Sequence, residues 1–192
     1  VTSLTKYFSG TGNVMGGALI CCPSSPLHAA LRAACGADYE PLLWGDDAIA
    51  LECQSRNFHE RMQIHNTNGD IIAKRLRQDP RVENVCYPRW DPSGNYDALR
   101  RPDGGYSSLL SILLKDAPQN APRFYDALHL CKGPTLGTEF TLVCPYTLLA
   151  HYKELAWAES CGVSRYLVRV SVGIEEPESI WDRFQSALDS LT

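Results

Sequence analysis

Tyr166-Leu-Val-Arg-Val-Ser-Val-Gly173 is the stretch that decides the architecture. Tyr166, Val168, Val170 and Val172 fall on one face, and Leu167, Arg169 and Ser171 on the other. Alternation of this kind in a β-branched run predicts a strand with one face against a core. An arginine in the middle of such a strand has to find an anion, because its planar fork is costly to bury unpaired. Two readings of Arg169 stand: a structural ion pair, or a bound carboxylate. Downstream, residues 177–191 place Ile180, Phe184, Ala187, Leu188 and Leu191 at helical spacing, so an amphipathic helix follows the strand.

Upstream, elements of the same two kinds alternate. Residues 140–144 and 166–172 read as strands, with a helix over 148–158 between them. Before these comes a helix carrying Phe124, Ala127, Leu128 and Cys131 at i, i+3, i+4 and i+7. Tyr106, Ser108, Leu110, Ile112 and Leu114 alternate as a strand, and 82–87 is a shorter one. Residues 88–105, rich in Pro, Gly, Asp and Arg, read as a long connection. From Asp46 to about Gln78 the chain is mostly helical. Ser25-Pro26 caps a helix running through Leu27, Ala30, Leu31 and Ala34 to Gly36, and residues 18–22 form an apolar strand before it. The class is α/β or α+β, with a seam around residues 36–50.

Composition narrows the function. With 192 residues, 44% hydrophobic and 21% charged, the chain is an ordinary globular one. A net charge of −4 gives no electrostatic reason to bind nucleic acid or anionic lipid. No apolar run approaches the roughly 18 residues that span a bilayer. The eight cysteines (21, 22, 35, 53, 86, 131, 144 and 161) form no CxxC. Cys22, Cys86, Cys131 and Cys144 lie in apolar runs, so all eight read as reduced thiols of a cytoplasmic protein. The five histidines show no metal-ligand spacing with cysteine or aspartate, and no metal is expected. Val1 is not a methionine, and the chain reads as the C-terminal part of a longer protein.

Three segments carry candidate chemistry. Lys6 lies in Thr2-Ser-Leu-Thr-Lys-Tyr7 beside a glycine-rich run. It is an exposed loop lysine or a partly desolvated Schiff-base nucleophile with phosphate-binding hydroxyls at Ser3 and Thr5. Gly133-Pro-Thr-Leu-Gly-Thr-Glu-Phe-Thr-Leu142 is a turn that lets backbone N–H groups and Thr135 approach a ligand. Arg169 is the third. Gly10-Thr-Gly12 does not extend to a dinucleotide fingerprint, and the four tryptophans read as packing.

Taken together, Ser3-Leu-Thr-Lys-Tyr-Phe-Ser-Gly10, Gly133-Pro-Thr-Leu-Gly137 and Leu167-Val-Arg-Val-Ser-Val-Gly-Ile-Glu175 resemble the C-terminal half of the pyridoxal phosphate (PLP) enzymes of Cys/Met metabolism, the cystathionine γ-synthase group. Ser9-Gly-Thr-Gly-Asn-Val-Met-Gly-Gly17 and Leu142-Val-Cys-Pro-Tyr-Thr-Leu-Leu-Ala-His-Tyr152 look most like its fungal branch. The resemblance implies that Lys6 holds pyridoxal 5'-phosphate and that Ser3 and Thr5 touch its phosphate. It implies that Arg169 clamps the substrate α-carboxylate with help from Thr135. Thr11-Gly12-Asn13 departs from the commoner His-Ser-Asp. Pro134 stands where many members carry glutamate, and Cys53 where arginine is common.

The fold implied is the end of a PLP fold-type I large domain over 1–45, then a smaller C-terminal α/β domain over 46–192 with a mainly antiparallel sheet. The activity implied is γ-substitution on an O-acyl-L-homoserine, with cysteine as nucleophile. The alternatives are a related enzyme using a carbon or nitrogen nucleophile in secondary metabolism, or a non-catalytic domain that kept the fold. The implied partners are an amino-acid substrate, the missing N-terminal half of the same enzyme, and further copies in a homo-oligomer.

Overall fold

The protein is described here by a computed structural model covering residues 1–191. Two compact units divide it, Val1–Phe58 and the remainder from His59 on. The division falls after the seam read between 36 and 50, because the helix over Gly45–Ser55 buries Leu51 beside Gly16 within the first unit.

In the first unit, β1 (Thr2–Ser3) and β2 (Gly17–Ala18) pair antiparallel, Thr2 opposite Ala18 and Ser3 opposite Gly17. Two helices follow, α1 (His28–Ala37) and α2 (Gly45–Ser55). The strand expected over 18–22 stops at Ala18. Leu19 and Ile20 find no neighbouring strand to pair with among the described residues, and both are exposed. Ser25-Pro26 does precede a helix, but α1 runs one residue past Gly36.

The second unit is built on α3, which begins at its boundary (Phe58–Gln78), followed by β3 (Val82–Cys86), α4 (Asn95–Leu99), β4 (Leu109–Leu114), α5 (Ala117–Ala127), β5 (Cys131–Lys132), β6 (Leu142–Cys144), α6 (Tyr146–Ala150), α7 (Leu155–Ser160), β7 (Val168–Ser171) and α8 (Pro177–Asp189). The sheet order is β3-β4-β7-β6-β5. Its β3–β4, β4–β7 and β7–β6 pairs are antiparallel and β6–β5 is parallel, so the sheet is mixed.

The alternating residues Leu110, Ile112 and Leu114 of β4 and Val168, Val170 and Val172 of β7 are all buried. They face Ile72 and Leu76 of α3, Phe124 of α5 and Ile180, Phe184 and Leu188 of α8 in one core. Phe124 and Phe184 stack at 6.2 Å between ring centroids. Pro177 opens α8 and Glu178 occupies its first turn, where the helix dipole favours a carboxylate.

Four details differ from the sequence expectation. The helix expected over 148–158 is split into α6 and α7 by a 3₁₀ turn over Tyr152–Glu154. Cys131 is not on α5: Leu128 turns to extended geometry (φ −76°, ψ 113°), which ends the helix and sends Cys131 into β5. The connection over 88–105 contains α4, held by Tyr106, which stacks on Tyr96 and hydrogen-bonds Asp97. Of the four cysteines read as small hydrophobes, only Cys144 is buried. Cys22, Cys86 and Cys131 are exposed, since the runs that contain them lie at chain ends of strands or outside the sheet.

Phe184 is fully buried, while the Trp157 indole is 58% exposed. Phe184→Ala should therefore lower unfolding free energy by about 3–5 kcal/mol, and Trp157→Ala by no more than about 0.5 kcal/mol, in equilibrium urea denaturation.

Candidate functional site

Arg169 sits in the middle of β7, opposite Ser111 of β4 and Cys144 of β6. Neither neighbour offers a charge. Burial pushes the Cys144 thiol above its ordinary range, against the opposing pull of Arg169, so the thiol stays neutral beside the guanidinium. No carboxylate among the described residues pairs with Arg169. Instead Nη2 donates to the carbonyl oxygens of Pro134 and Thr135, the latter at 3.1 Å. The Tyr146 ring lies beneath the guanidinium, 4.8 Å from its centroid to Cζ. Nη1 and Nε have no protein acceptor among the described residues. A guanidinium with one end tethered to carbonyls keeps planar donors that can meet an anion or water.

The tether is rigid because the turn over 133–141 is fastened from several sides. Gly137 adopts φ 73°, a left-handed geometry suited to glycine, which aims its N–H at Ser171 Oγ at 2.8 Å. At the other end, the Glu175 carboxylate accepts from Thr141 N–H (2.6 Å) and Thr141 O–H (2.9 Å). Gly173 N–H donates to Thr141 Oγ1 at 3.0 Å, and Ile174 N–H to Glu139 O at 2.8 Å. A Cβ on Gly173 would drive into the Glu139 carbonyl oxygen and the Glu175 carboxylate.

Helix α3 closes this network. Asn68 Nδ2 donates to Gly173 O (3.1 Å) and Glu175 O (2.8 Å), and His65 Nδ1 to Val172 O at 2.9 Å. Arg61, 2% exposed, reaches Glu139 at 3.5 Å. Burial lowers the His65 pKa, outweighing the hydrogen bond to Val172 that favours its charged form.

In the first unit, Lys6 lies on a wide turn over Leu4–Phe8 that departs from helical geometry at Lys6 itself (φ −90°, ψ −124°). Leu4 N–H donates to Gly16 O at 2.9 Å, Ser9 N–H to Leu4 O at 3.0 Å and Gly10 N–H to Lys6 O at 2.9 Å. Gly10, at φ 76°, takes the left-handed conformation that closes the turn. Lys6 is half-buried. Ser3 is exposed, and its hydroxyl has no hydrogen-bond partner among the described residues. Thr5 differs: its hydroxyl donates to Gly16 O (3.3 Å) and accepts from Gly16 N–H (3.0 Å), so it braces the turn.

The family model described as Cys/Met metabolism PLP-dependent enzyme matches residues 1–189. The chain belongs to that family. Among the family's curated members it is 46% identical over 189 residues to cystathionine γ-synthase of Neurospora crassa, covering 98% of this chain and 30% of that protein. A cystathionine γ-synthase-like protein of Aspergillus thermomutatus is 44% identical over 189 residues, covering 98% and 33%. The chain thus spans about a third of the length of these relatives. The crystal structure of cystathionine γ-synthase from Xanthomonas oryzae pv. oryzae in complex with cystathionine aligns with TM-score 0.81 at 26% identity, over 98% of this chain and 49% of that one.

The donor set fits the family's cofactor in part. A primary amine at Lys6 and an uncommitted hydroxyl at Ser3 suit an aldehyde and a phosphate. Thr5 suits a phosphate only if its proton leaves Gly16 O. Sequence reasoning singled out Lys6, Ser3, Thr5, Thr135 and Arg169 as candidates. It missed Tyr146, Thr141, Asn68 and His65, and it quoted Glu175 without a role. The signal for Glu175 was its place two residues past Gly173, where the strand ends.

His65 is neutral when buried and binds a proton more readily once unfolded, so stability should fall as pH drops below about 6.5, the unfolded value. In denaturation curves at pH 7.5 and 5.5, His65→Gln should lose less stability over that interval than the wild type does.

Proposed function

We propose that this chain is the C-terminal part of a PLP-dependent γ-substitution enzyme acting on an O-acyl-L-homoserine, of the cystathionine γ-synthase type, with cysteine as nucleophile. The observation that carries it is Arg169: a mid-strand guanidinium with no carboxylate partner among the described residues and two donor nitrogens left for an anion. Residues 1–45 would close a large PLP-binding domain supplied mainly by upstream sequence, and 46–192 would form the smaller domain. Further copies of the chain would complete an oligomer.

When bound, pyridoxal phosphate supplies the electron sink for carbanion chemistry. The roles of the chain's own residues follow from their chemistry. Lys6 holds the cofactor and then serves as the base that takes a proton from the substrate Cα and next from Cβ, which lets the γ-acyloxy group leave. The acyloxy group departs as a carboxylate, the nucleophile gives up its proton as it adds at Cγ, and protons return to Cβ and then Cα, the amine of Lys6 carrying them back. Ser3 donates to the phosphate. Arg169 fixes the α-carboxylate, with Thr135 beside it, so that the scissile C–H bond is oriented before reaction. Identity to the synthase-like Aspergillus protein is nearly that to the Neurospora synthase, so the nucleophile is left to a substrate screen.

The test is borohydride reduction of the complete protein with PLP, followed by peptide mass mapping. A pyridoxyl group on the peptide holding Lys6 is expected, and an unmodified Lys6 in the folded, complete protein would retire the catalytic reading in favour of an interaction domain. Lys6→Ala should lower kcat by about 10²- to 10⁴-fold or more, and unchanged turnover would sink the assignment.

A further inference from the structure

Arg169 has a long side chain with several rotatable bonds, and its bonds to two carbonyls engage Nη2 alone among the three guanidinium nitrogens. An anion binds best to a fork whose plane is already set, because ordering a mobile side chain on binding subtracts from affinity. The structure holds one group that can set the plane: the face of Tyr146, 4.8 Å from Cζ.

The ring itself is immobilised. Tyr146 opens α6 directly after Pro145, whose fixed φ limits the chain's entry. The next residue, Thr147, is fully buried and donates its hydroxyl to Ser164 O at 2.9 Å, pinning the first turn. Behind the phenol ring stands His151, edge-on at 6.1 Å and 68°. His151 is held in turn by Glu154 through Nδ1 at 2.7 Å. The phenol ring thus meets the imidazole edge-on and the guanidinium at its face, while Nη1 and Nε keep no protein acceptor among the described residues.

We propose that Tyr146 is a positioning residue: its ring face holds the Arg169 guanidinium in the orientation that receives the substrate α-carboxylate. This rests on the reading of Arg169 as the carboxylate clamp. The ring is what the role needs. The hydroxyl makes no hydrogen bond among the described residues and is dispensable.

The experiment is calorimetric titration of the complete, PLP-loaded protein with L-norvaline and with n-butylamine, the same molecule without its carboxyl group. Wild type is compared with Tyr146→Phe, Tyr146→Leu and Arg169→Leu. Tyr146→Leu should weaken L-norvaline roughly two- to thirtyfold, the span of a cation–π contact from exposed to desolvated, and leave n-butylamine within about twofold. Tyr146→Phe should keep wild-type affinity for both. Arg169→Leu should weaken L-norvaline at least as much as Tyr146→Leu does. If Tyr146→Leu leaves L-norvaline unchanged while Arg169→Leu weakens it, the positioning role is overturned and the clamp reading stands. If Tyr146→Leu weakens acid and amine alike, or Tyr146→Phe behaves as leucine does, the ring-face role is overturned. If Arg169→Leu has no effect on L-norvaline, the clamp reading itself falls.

Discussion

A full positive charge placed in the middle of a β-strand, between two strands that offer it no negative partner, is the constraint on which the second unit depends. A fully buried guanidinium left unmet costs several kcal/mol, and hydrogen bonds to a charged group return about 1.5–3 kcal/mol each. Arg169 is half-buried, and two carbonyl acceptors and one aromatic face meet part of its demand without neutralising it. Under the proposed reading of Arg169 as a carboxylate clamp, a protein carboxylate at this position would satisfy the charge and displace the ligand. Neutral Ser111 and a thiol kept protonated at Cys144 leave the charge uncompensated within the sheet.

That demand explains the polar network around it. Carbonyl oxygens serve as a tether only if the turn that carries them cannot move, and the turn over 133–141 has little apolar surface to hold it. Ser171 and Glu175 hold it through hydrogen bonds to Gly137 and Thr141. Asn68 and His65 hold the end of β7 from the side of α3. Ser171, Asn68 and His65 are buried and Glu175 half-buried, and their hydrogen bonds to the turn and the end of β7 are what hold both in place. The first unit solves the same problem differently. There the Lys6 turn is short, and backbone bonds to Gly10 and Gly16 with the Thr5 brace are enough.

Much of this was legible because period and burial agree. Residues 166–172, 106–114 and 177–191 carry clean two- or 3.6-residue patterns, and each gave an element of the expected kind over part of its span, β4 starting only at Leu109 after Ser107 turns to φ 69°. Legibility failed where pairing or tertiary contact decided the outcome. Residues 19–22 have strand composition but no strand to pair with among the described residues, and residues 95–99 are polar yet helical under the Tyr96–Tyr106 stack. Within the site, Arg169 and Lys6 stood out as charges in unusual company. His65 and Asn68 did not, because polar residues on a helix read as a solvated face until a strand end is found against them. Tyr146 was invisible for a related reason: nothing in Cys144-Pro-Tyr-Thr147 says which residue its ring will meet.

The most direct test of the account is a crystal structure of the complete, PLP-loaded protein with a bound L-amino acid. The account predicts that Nη2 of Arg169 keeps its bonds to Pro134 O and Thr135 O while the ligand carboxylate accepts from Nη1 or from Nε, which lie on opposite edges of the fork. A protein carboxylate seated on Arg169, with the ligand's carboxylate held elsewhere, would contradict it.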